Sequence, residues 1–537
     1  MSPPDYRELV RSYLDLRWQL DPVAATQAGV SAHDARLAEF SKPQIKIALA
    51  ALKAMAAAFE YCETTSLADE VDQTAVLNDL RSTIARFEKE KPHETSAEFH
   101  VSYLFSGLFA LLLRADRPLE DRGRALAARL RATPRFLKDA RATLKKPAKV
   151  FTETALAVAQ GAPALFGAAI PEFAAGLGPA TRQELLEALG EARTALDEFM
   201  EYLGGELLEK SDGGFAIGRK QFDFRLHYEH ALRETAPELL RYGEALIREQ
   251  EAELARRAEA LAPGVPWRAL VQRLREEHPA RGELVAEYAG AMERARRFVA
   301  ERGLMTVPAG KLEVIATPSF MQPLIPFAAY DPPGAFAASR TGWFYVSVPE
   351  AERLREHSAH ELATTALHEG YPGHHVQFLA AQAQPSPVRK VVATPLSVEG
   401  WALYCERMMG EEGFFTRPEE AFFQQMNLLW RAVRVVLDVR LHTAGMSVEH
   451  AVRYMMDVLD LGRASAEAEV RRYCCNPGNA LCYAVGCHEL VKLREDWKRR
   501  AGALFTLRDF HDDVLSYGGL PVSLMRWGMG LNESDGR

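Results

Sequence analysis

The sequence predicts a mainly α-helical protein that carries one small β-sheet or hairpin. Four long segments, residues 45–61, 122–144, 181–203 and 236–260, place apolar side chains three and four positions apart among strong helix formers. Two β-rich segments, residues 312–317 and 342–348, interrupt this pattern and flank a passage rich in Pro and Gly. With 537 residues, the chain is long enough for one large body or for two lobes.

Composition and charge narrow the class of protein. The chain is 48% hydrophobic and 26% charged, which is typical of a folded globular protein. A net charge of -8 and the lack of a dense Lys/Arg stripe argue against nucleic acid as a partner. No secretory signal is evident, and prolines interrupt the apolar residues 161–180, so we expect a cytoplasmic location and no membrane partner. The six cysteines are expected to be reduced core thiols.

The stretch His368-Glu369-Gly370-Tyr371-Pro372-Gly373-His374-His375 resembles a zinc-binding helix with altered spacing. The usual motif places two His four residues apart, so that both imidazoles reach one ion from the same helix face. Here Pro372 occupies the fourth position, and its ring would clash with the His368 carbonyl in a straight helix. We therefore predict a bulge or kink before His374 that makes His374 the second ligand, with His375 as the alternative.

A third ligand and a base complete the predicted site. Glu399 opens a later helical stretch, and two His with one Glu form a known catalytic zinc set that leaves room for water. Glu369 would then act as the general base for one zinc ion. Glu406 lies two turns beyond Glu399 and would orient a ligand or remain a surface carboxylate. The structural alternative for the whole stretch is a helix end with polar caps.

Three motifs resemble the bacterial domain-of-unknown-function family 885. They are HEGYPGHH at residues 368–375, EGWALY at 399–404 and PGNALCY at 477–483, and the resemblance extends to residues 21–37. It implies a helical fold similar to the gluzincin-type zinc peptidases, with a deep central cleft. The family motif usually has Gln where this chain has Asn479, a shorter candidate for positioning substrate.

Further roles are assigned as hypotheses. Similar zinc peptidases use a C-terminal tyrosine to stabilise the oxyanion, so Tyr483 is the first candidate and His488 the second; Tyr483 is alternatively a core aromatic. Arg494 would bind a substrate carboxylate or lie exposed on a helix. The strand at residues 343–348, with Tyr345, would align an extended peptide along a sheet edge or form a structural hairpin.

Together these features predict a zinc-dependent hydrolase, most simply a metallopeptidase that acts on short peptides or amides. Residues 1–305 would form a helical N-terminal lobe and residues 306–537 a catalytic lobe, within one integrated fold. A Gly-rich loop at residues 211–214 marks a weaker boundary. Two alternatives remain: a non-catalytic, zinc-stabilised peptide-binding protein, and a non-haem iron enzyme with two His and one carboxylate.

Overall fold

The computed structural model describes residues 5–113, 116–318, 321–322, 325 and 327–531. Helices account for 72% of the chain and strands for 3%, which confirms the mainly α class. The chain divides into two compact units. The first holds the residues up to 217 together with Pro318, residues 321–322 and residues 334–339, and the second holds most of the remainder.

Among its described residues, the regular structure of the first unit is helical apart from an isolated β-bridge between Ala148 and Gly213. Its helices are α1 (Tyr6–Leu20), α2 (Pro22–Ala28), α3 (Lys42–Glu60), α4 (Leu67–Ala85), α5 (Pro92–Thr95), α6 (Ala97–Leu113), α7 (Leu119–Thr143), α8 (Lys149–Ala159), α9 (Ala162–Ala164), α10 (Ile170–Ala175) and α11 (Pro179–Tyr202). Leu108, Leu126 and Leu196 lie in one buried core cluster, because α6, α7 and α11 each turn an apolar face inward.

One helical stretch of this unit, Lys149–Ala175, is long and apolar enough to cross a bilayer by length and composition. A bent pair, Leu67–Thr95 with Ala97–Leu113, passes the same test when taken as one span. Leu165 and Ile170 of the first stretch belong to the core cluster of the unit and are 0% exposed. Of the apolar 18-residue window in this stretch, 39% is buried.

The second unit carries the remaining elements. They are α12 (Arg219–Tyr228), α13 (Ala236–Leu261), α14 (Trp267–Arg275), α15 (Leu284–Arg302), β1 (Lys311–Ala316), β2 (Ala328–Asp331), β3 (Thr341–Val346), α16 (Leu362–Thr365), α17 (His374–Ala383), α18 (Pro387–Val391), α19 (Pro395–Glu411), α20 (Pro418–Thr443), α21 (Val448–Leu459), α22 (Arg463–Cys475), α23 (Cys482–Ala501), α24 (Leu507–Leu515) and α25 (Val522–Gly528). The lobe boundary predicted at residue 305 falls inside this unit, because α15 packs on the sheet. The division between the two units lies instead after Ile217, close to the Gly-rich residues 211–214.

The small sheet has the strand order β1-β3-β2. Strands β1 and β3 match the two predicted segments and pair in parallel, and β2 pairs antiparallel with the other edge of β3. The two predicted strands therefore do not form a hairpin with each other. Phe344 and Val346 of β3 pack with Tyr288 of α15 and with Leu362 and Ala366. The sheet thus lies next to the segment that carries the His motif, as predicted.

All six cysteines are free thiols, and five of them are buried. Burial raises the pKa of the Cys405 and Cys482 thiols, because an apolar environment disfavours the thiolate. Their place in the fold agrees with the prediction of reduced core thiols.

Candidate metal centre

The helix that carries the His motif is interrupted where the sequence predicts. Helix α16 ends at Thr365, one π-helical turn covers Ala366–Gly370, and Tyr371 is extended with φ -118° and ψ 123°. A new helix, α17, begins at His374. The two motif histidines therefore lie on different helical segments, and the spacing rule for a straight helix does not apply to them.

Gly373 allows the backbone to fold back at this break. A Cβ atom at Gly373 would lie 1.9 Å from the carbonyl oxygen of His368 and 2.4 Å from that of Leu367. Only glycine permits this approach. The indole N–H of Trp401, on α19, donates a 3.0 Å hydrogen bond to the Pro372 carbonyl and ties the break to the helix that carries Glu399.

A second close contact brings α19 and α23 together. Gly400 and Gly486 face each other, and a Cβ at Gly486 would lie 1.9 Å from the Leu396 carbonyl oxygen. This contact allows the helix backbones to approach without intervening side chains. Glu399, next to Gly400, and Tyr483, near the start of α23, are thereby held in the same region as the His motif.

His368, His374 and Glu399 converge at one point. The Nε2 atoms of His368 and His374 lie 3.4 and 3.5 Å from Oε2 of Glu399. One potential ligand atom from each of the three residues lies within 4.8 Å of the other two. Both imidazole side chains are 9% exposed, whereas the Glu399 side chain keeps 24%.

The donor set fits zinc. Tetrahedral zinc with bonds of roughly 2.0–2.1 Å has ligand atoms about 3.3–3.4 Å apart. The two imidazole–carboxylate distances lie near that value. The partial exposure of Glu399 leaves an approach for a water or a substrate, as a catalytic rather than a structural zinc site requires.

Glu406 supports the first histidine from behind. Its side chain is 0% exposed, and Oε1 lies 2.8 Å from Nδ1 of His368. This bond fixes the ring so that Nε2 points at Glu399. The alternative of a surface carboxylate is therefore wrong. Nδ1 of His374, by contrast, is buried and has no hydrogen-bond partner among the described residues.

Electrostatics in the cluster favour a cation. Burial opposes protonation of His368, but the acceptors Glu399 and Glu406 outweigh it and raise the pKa of His368 to about 10. Burial likewise opposes ionisation of Glu399, yet the two imidazoles hold its pKa well below the usual range. The carboxylates thus create a place for positive charge, which a metal ion can fill in exchange for protons.

His375 is directed away from this cluster. It is 0% exposed, and its Nδ1 lies 2.9 Å from the hydroxyl of Tyr330, on strand β2. Burial lowers the pKa of His375 to about 4, because the charged ring would lose its hydration. Of the two candidates for second ligand, the structure brings His374 to Glu399 and places His375 against the sheet.

Glu369 follows His368 on the π-helical turn and is half-buried. Burial is the main reason that the pKa values of Tyr288 and Tyr330 are raised, and the negative charge of Glu369 adds to both shifts. Its carboxylate therefore interacts electrostatically with these two tyrosines and with His368. Its role as a base stays a prediction.

Tyr483 lies beside the cluster. Its ring stacks on His368 with centroids 6.3 Å apart and planes 16° apart, and the guanidinium of Arg434 lies 4.7 Å from its centroid. Burial and the charge of Glu399 raise the pKa of Tyr483, so its hydroxyl keeps its proton as a donor should. The buried Asp438 fixes the preceding turn by accepting hydrogen bonds from the backbone N–H of Gly478 and Leu481.

Asn479 lies in this same turn and is half-buried, and its proposed substrate role stays untested. His488 is five residues beyond Tyr483, about 140° further round the helix. It is exposed and lies against Tyr242 at a centroid distance of 4.8 Å. The structure therefore does not bring His488 to the metal cluster with Tyr483.

Two further predicted substrate residues have other partners. Arg494 binds Glu411 at 2.7 Å and contacts the Tyr404 hydroxyl at 3.5 Å, so its guanidinium is already paired with a carboxylate. Tyr345 is 6% exposed on β3. Pairing of a peptide along the edge of β3 is excluded, because β1 and β2 occupy both edges of that strand. The prediction of a substrate-binding edge there is wrong.

Sequence reasoning missed the arginines that surround Tyr483. Arg431 and Arg434 lie three residues apart on α20 and both place a guanidinium over the Tyr483 ring. The spacing is visible in the sequence, but nothing there shows that α20 packs beside the start of α23. Asp438 was missed for the same reason.

Comparisons with known proteins find one matching family and solved structures with a similar fold. The family described as "Bacterial protein of unknown function (DUF885)" matches residues 22–529. A solved structure described as a "putative lipoprotein of unknown function from Shewanella oneidensis" is 25% identical, with a TM-score of 0.81 over 98% of this chain and 100% of that one. A "putative lipoprotein from Colwellia psychrerythraea" is 20% identical, with a TM-score of 0.85 over 98% of each chain. No curated protein matches the sequence.

Proposed function

We propose that this chain, which belongs to the bacterial family DUF885, is a zinc-dependent hydrolase that cleaves short peptides or amides. The observation that carries the proposal is the meeting of His368, His374 and Glu399, with both Nε2 atoms within 3.5 Å of one carboxylate oxygen. The position of Glu369 directly after the first of these residues adds a base. The family match and the structural neighbours support the fold, whereas the proposed chemistry rests on the geometry of this cluster.

Each residue of the site has a chemical task in this proposal. Zinc bound there would supply a Lewis acid and lower the pKa of a bound water towards neutrality. Glu369 would accept the proton of the attacking water and deliver it to the leaving amine. Tyr483 would donate its hydroxyl hydrogen to the developing oxyanion. Glu406 would hold the His368 ring in the required tautomer.

The central experiment joins metal analysis with Glu369→Gln. We expect one zinc per chain in both wild type and variant, and turnover of a peptide, amide or ester library by wild type alone. Loss of a general base costs roughly 10²–10⁴-fold in rate. Glu412→Gln, a half-buried carboxylate at the end of α19, is the matched control. Equal turnover by Glu369→Gln and wild type would refute the role of Glu369.

The two alternatives predict different results in the same experiment. Bound iron together with oxygen consumption would favour the non-haem iron enzyme. Stoichiometric zinc without turnover of any library member would favour a non-catalytic, zinc-stabilised peptide-binding protein. The predominantly helical fold supports the hydrolase, since the iron enzymes with this ligand set are usually β-barrels.

The second ligand has its own test. We expect His374→Ala to lose most of its zinc, because that side chain reaches Glu399. His375→Ala should keep zinc and lose only the contact with Tyr330. The reverse result would contradict the assignment of His374.

The cellular location is proposed from the descriptions of two solved neighbours. The proteins from Shewanella oneidensis and Colwellia psychrerythraea are each described as a putative lipoprotein. We propose that this chain is likewise exported and anchored to a membrane, and the expected cytoplasmic location is the alternative. Fractionation of cells that express the native gene separates the two, since only an anchored protein remains with the membranes after a high-salt wash.

A further inference from the structure

Helix α20 presents two guanidinium groups to Tyr483. This cationic face consists of Arg431 and Arg434, and Trp430 lies beside it, with the Arg434 guanidinium 5.4 Å from its ring centroid. The guanidinium groups of Arg434 and Arg431 lie 4.7 and 5.8 Å from the centroid of the Tyr483 ring. Because that ring stacks on His368, the cationic face borders the candidate metal site.

Arg434 already has an ion-pair partner. Its Nε donates to the Tyr473 hydroxyl at 3.0 Å, and Nη2 binds Glu469 at 3.1 Å. Arg472 also binds Glu469, at 2.9 Å. One carboxylate therefore serves two guanidinium groups, and the surroundings of Tyr483 keep an excess of positive charge.

Arg431 has no such partner. Among the described residues, it forms no ion pair, and its single hydrogen bond is from Nη1 to the Asn427 carbonyl at 3.3 Å. Its Nε–H is buried without an acceptor, and so is the indole N–H of the adjacent Trp430. Glu361 is an acidic group whose charge interacts with Arg431, but it forms no ion pair with it in the described structure. Each buried donor without an acceptor requires an explanation, and a bound ligand supplies one for both of these.

We propose that Arg431, aided by Trp430, binds the C-terminal carboxylate of a short peptide whose scissile bond lies at the metal site. An anion is the ligand that suits two donors without acceptors and a guanidinium that forms no ion pair among the described residues. An extended peptide advances roughly 3.3–3.6 Å per residue, so three residues beyond the scissile bond span about 10–11 Å. That length is comparable with the two steps of 6.3 and 5.8 Å from His368 past Tyr483 to Arg431. This inference deepens the proposed hydrolase and rests on it. It replaces Arg494 as the carboxylate-binding residue.

The chain terminus and an acidic side chain offer the same carboxylate, and a peptide panel separates them. The panel contains tetrapeptides as free acids, the same tetrapeptides as C-terminal amides, and amides that end in glutamate. Binding is measured by calorimetry on zinc-loaded Glu369→Gln, which is expected to hold substrate without cleaving it. We expect the free acids to bind roughly 10- to 100-fold more tightly than the amides.

Arg431→Gln in the same background should remove this preference. Arg440→Gln is the matched control, because Arg440 lies on the same helix but forms an ion pair with Glu244. Thermal unfolding checks that both variants are folded. Equal binding of acids and amides, no binding of any panel member, or a preference that survives Arg431→Gln would overturn the proposal.

The remaining outcomes separate this inference from the proposed function. Glutamate-ending amides that bind as tightly as free acids would overturn the assignment to the chain terminus. Selective binding of free acids that depends on Arg431, without turnover by wild type, would support the carboxylate site and refute the hydrolase. Turnover of amides and acids at equal kcat/KM would support the hydrolase and refute the carboxylate site.

Discussion

Glu406→Gln is expected to weaken zinc binding without removing a zinc ligand. The carboxylate is 0% exposed, its Oε1 bonds Nδ1 of His368 at 2.8 Å, and its Oε2 has no hydrogen-bond partner among the described residues. The bond to His368 is therefore its main interaction. The substitution keeps the volume of the side chain and an acceptor oxygen but removes the charge that makes the imidazole a stronger ligand.

The magnitude follows from that loss of charge. A hydrogen bond to an ionised acceptor is roughly twice as strong as a neutral one. Loss of such outer support typically costs about 10- to 100-fold in metal affinity. We therefore expect the zinc Kd to rise by that factor, equivalent to about 1.4–2.7 kcal/mol. Glu399→Gln, which removes a proposed ligand, should lose considerably more.

The assay is a zinc competition titration with a chromophoric chelator at fixed pH and ionic strength. Glu411→Gln serves as the control, because Glu411 lies on the same helix and binds Arg407 and Arg494 instead of a histidine. Thermal unfolding of the metal-free proteins verifies that each variant is folded. A Kd for Glu406→Gln within twofold of wild type would refute the reasoning that Glu406 supports the metal site through His368.

Three further predictions concern the helix break at Gly373, the proposed donor Tyr483 and the buried His511. Gly373→Ala should abolish zinc binding and lower the melting temperature, because its Cβ would lie 1.9 Å from the His368 carbonyl oxygen; retained zinc would contradict this. Tyr483→Phe should lower kcat by roughly 10- to 10³-fold with zinc content unchanged, and an unchanged kcat would remove Tyr483 from the mechanism. Burial lowers the pKa of His511 from 6.5 to about 4, so its neutral form stabilises the fold above pH 6.5 and this stability is lost on acidification towards pH 4. His511→Gln should flatten the fall in unfolding free energy across that range by up to about 1.4 kcal/mol per pH unit, measured by urea titration, and an unchanged slope would contradict it.

Much of the fold could be predicted because its signals are local. Apolar periodicity predicted the four long segments that form α3, α7, α11 and α13, and β-branched and aromatic residues predicted β1 and β3. Other long helices, such as α15 and α20, were not singled out. The short strand β2 lies within the Pro- and Gly-rich passage and has only four residues, too few for a pattern. The pairing of β1 with β3 was not predictable, because parallel strands are joined through distant segments and not through a turn.

The candidate site likewise has features that the sequence predicted and one that it left open. The chemistry of Pro372 predicts that the helix must break after His368, and the structure contains that break. The sequence left open which of His374 and His375 faces Glu399. That choice depends on how far the chain turns between Gly370 and His374, and Tyr330 on the sheet and Trp401 on α19 contribute to it.

By itself, the sequence determined the residue types of a two-His, one-carboxylate set, because the ligand chemistry is that of the side chains themselves. It also determined the need for a distorted helix, because the ring of Pro372 constrains the backbone within a few residues. Only the tertiary structure decided what surrounds that set. Burial of Glu406, the stacking of Tyr483 on His368 and the position of the Arg431 guanidinium over Tyr483 depend on contacts among the π-helical turn at Ala366–Gly370, α19, α20 and α23. Those contacts depend on complementary packing between segments far apart in sequence, such as the approach of Gly400 to Gly486.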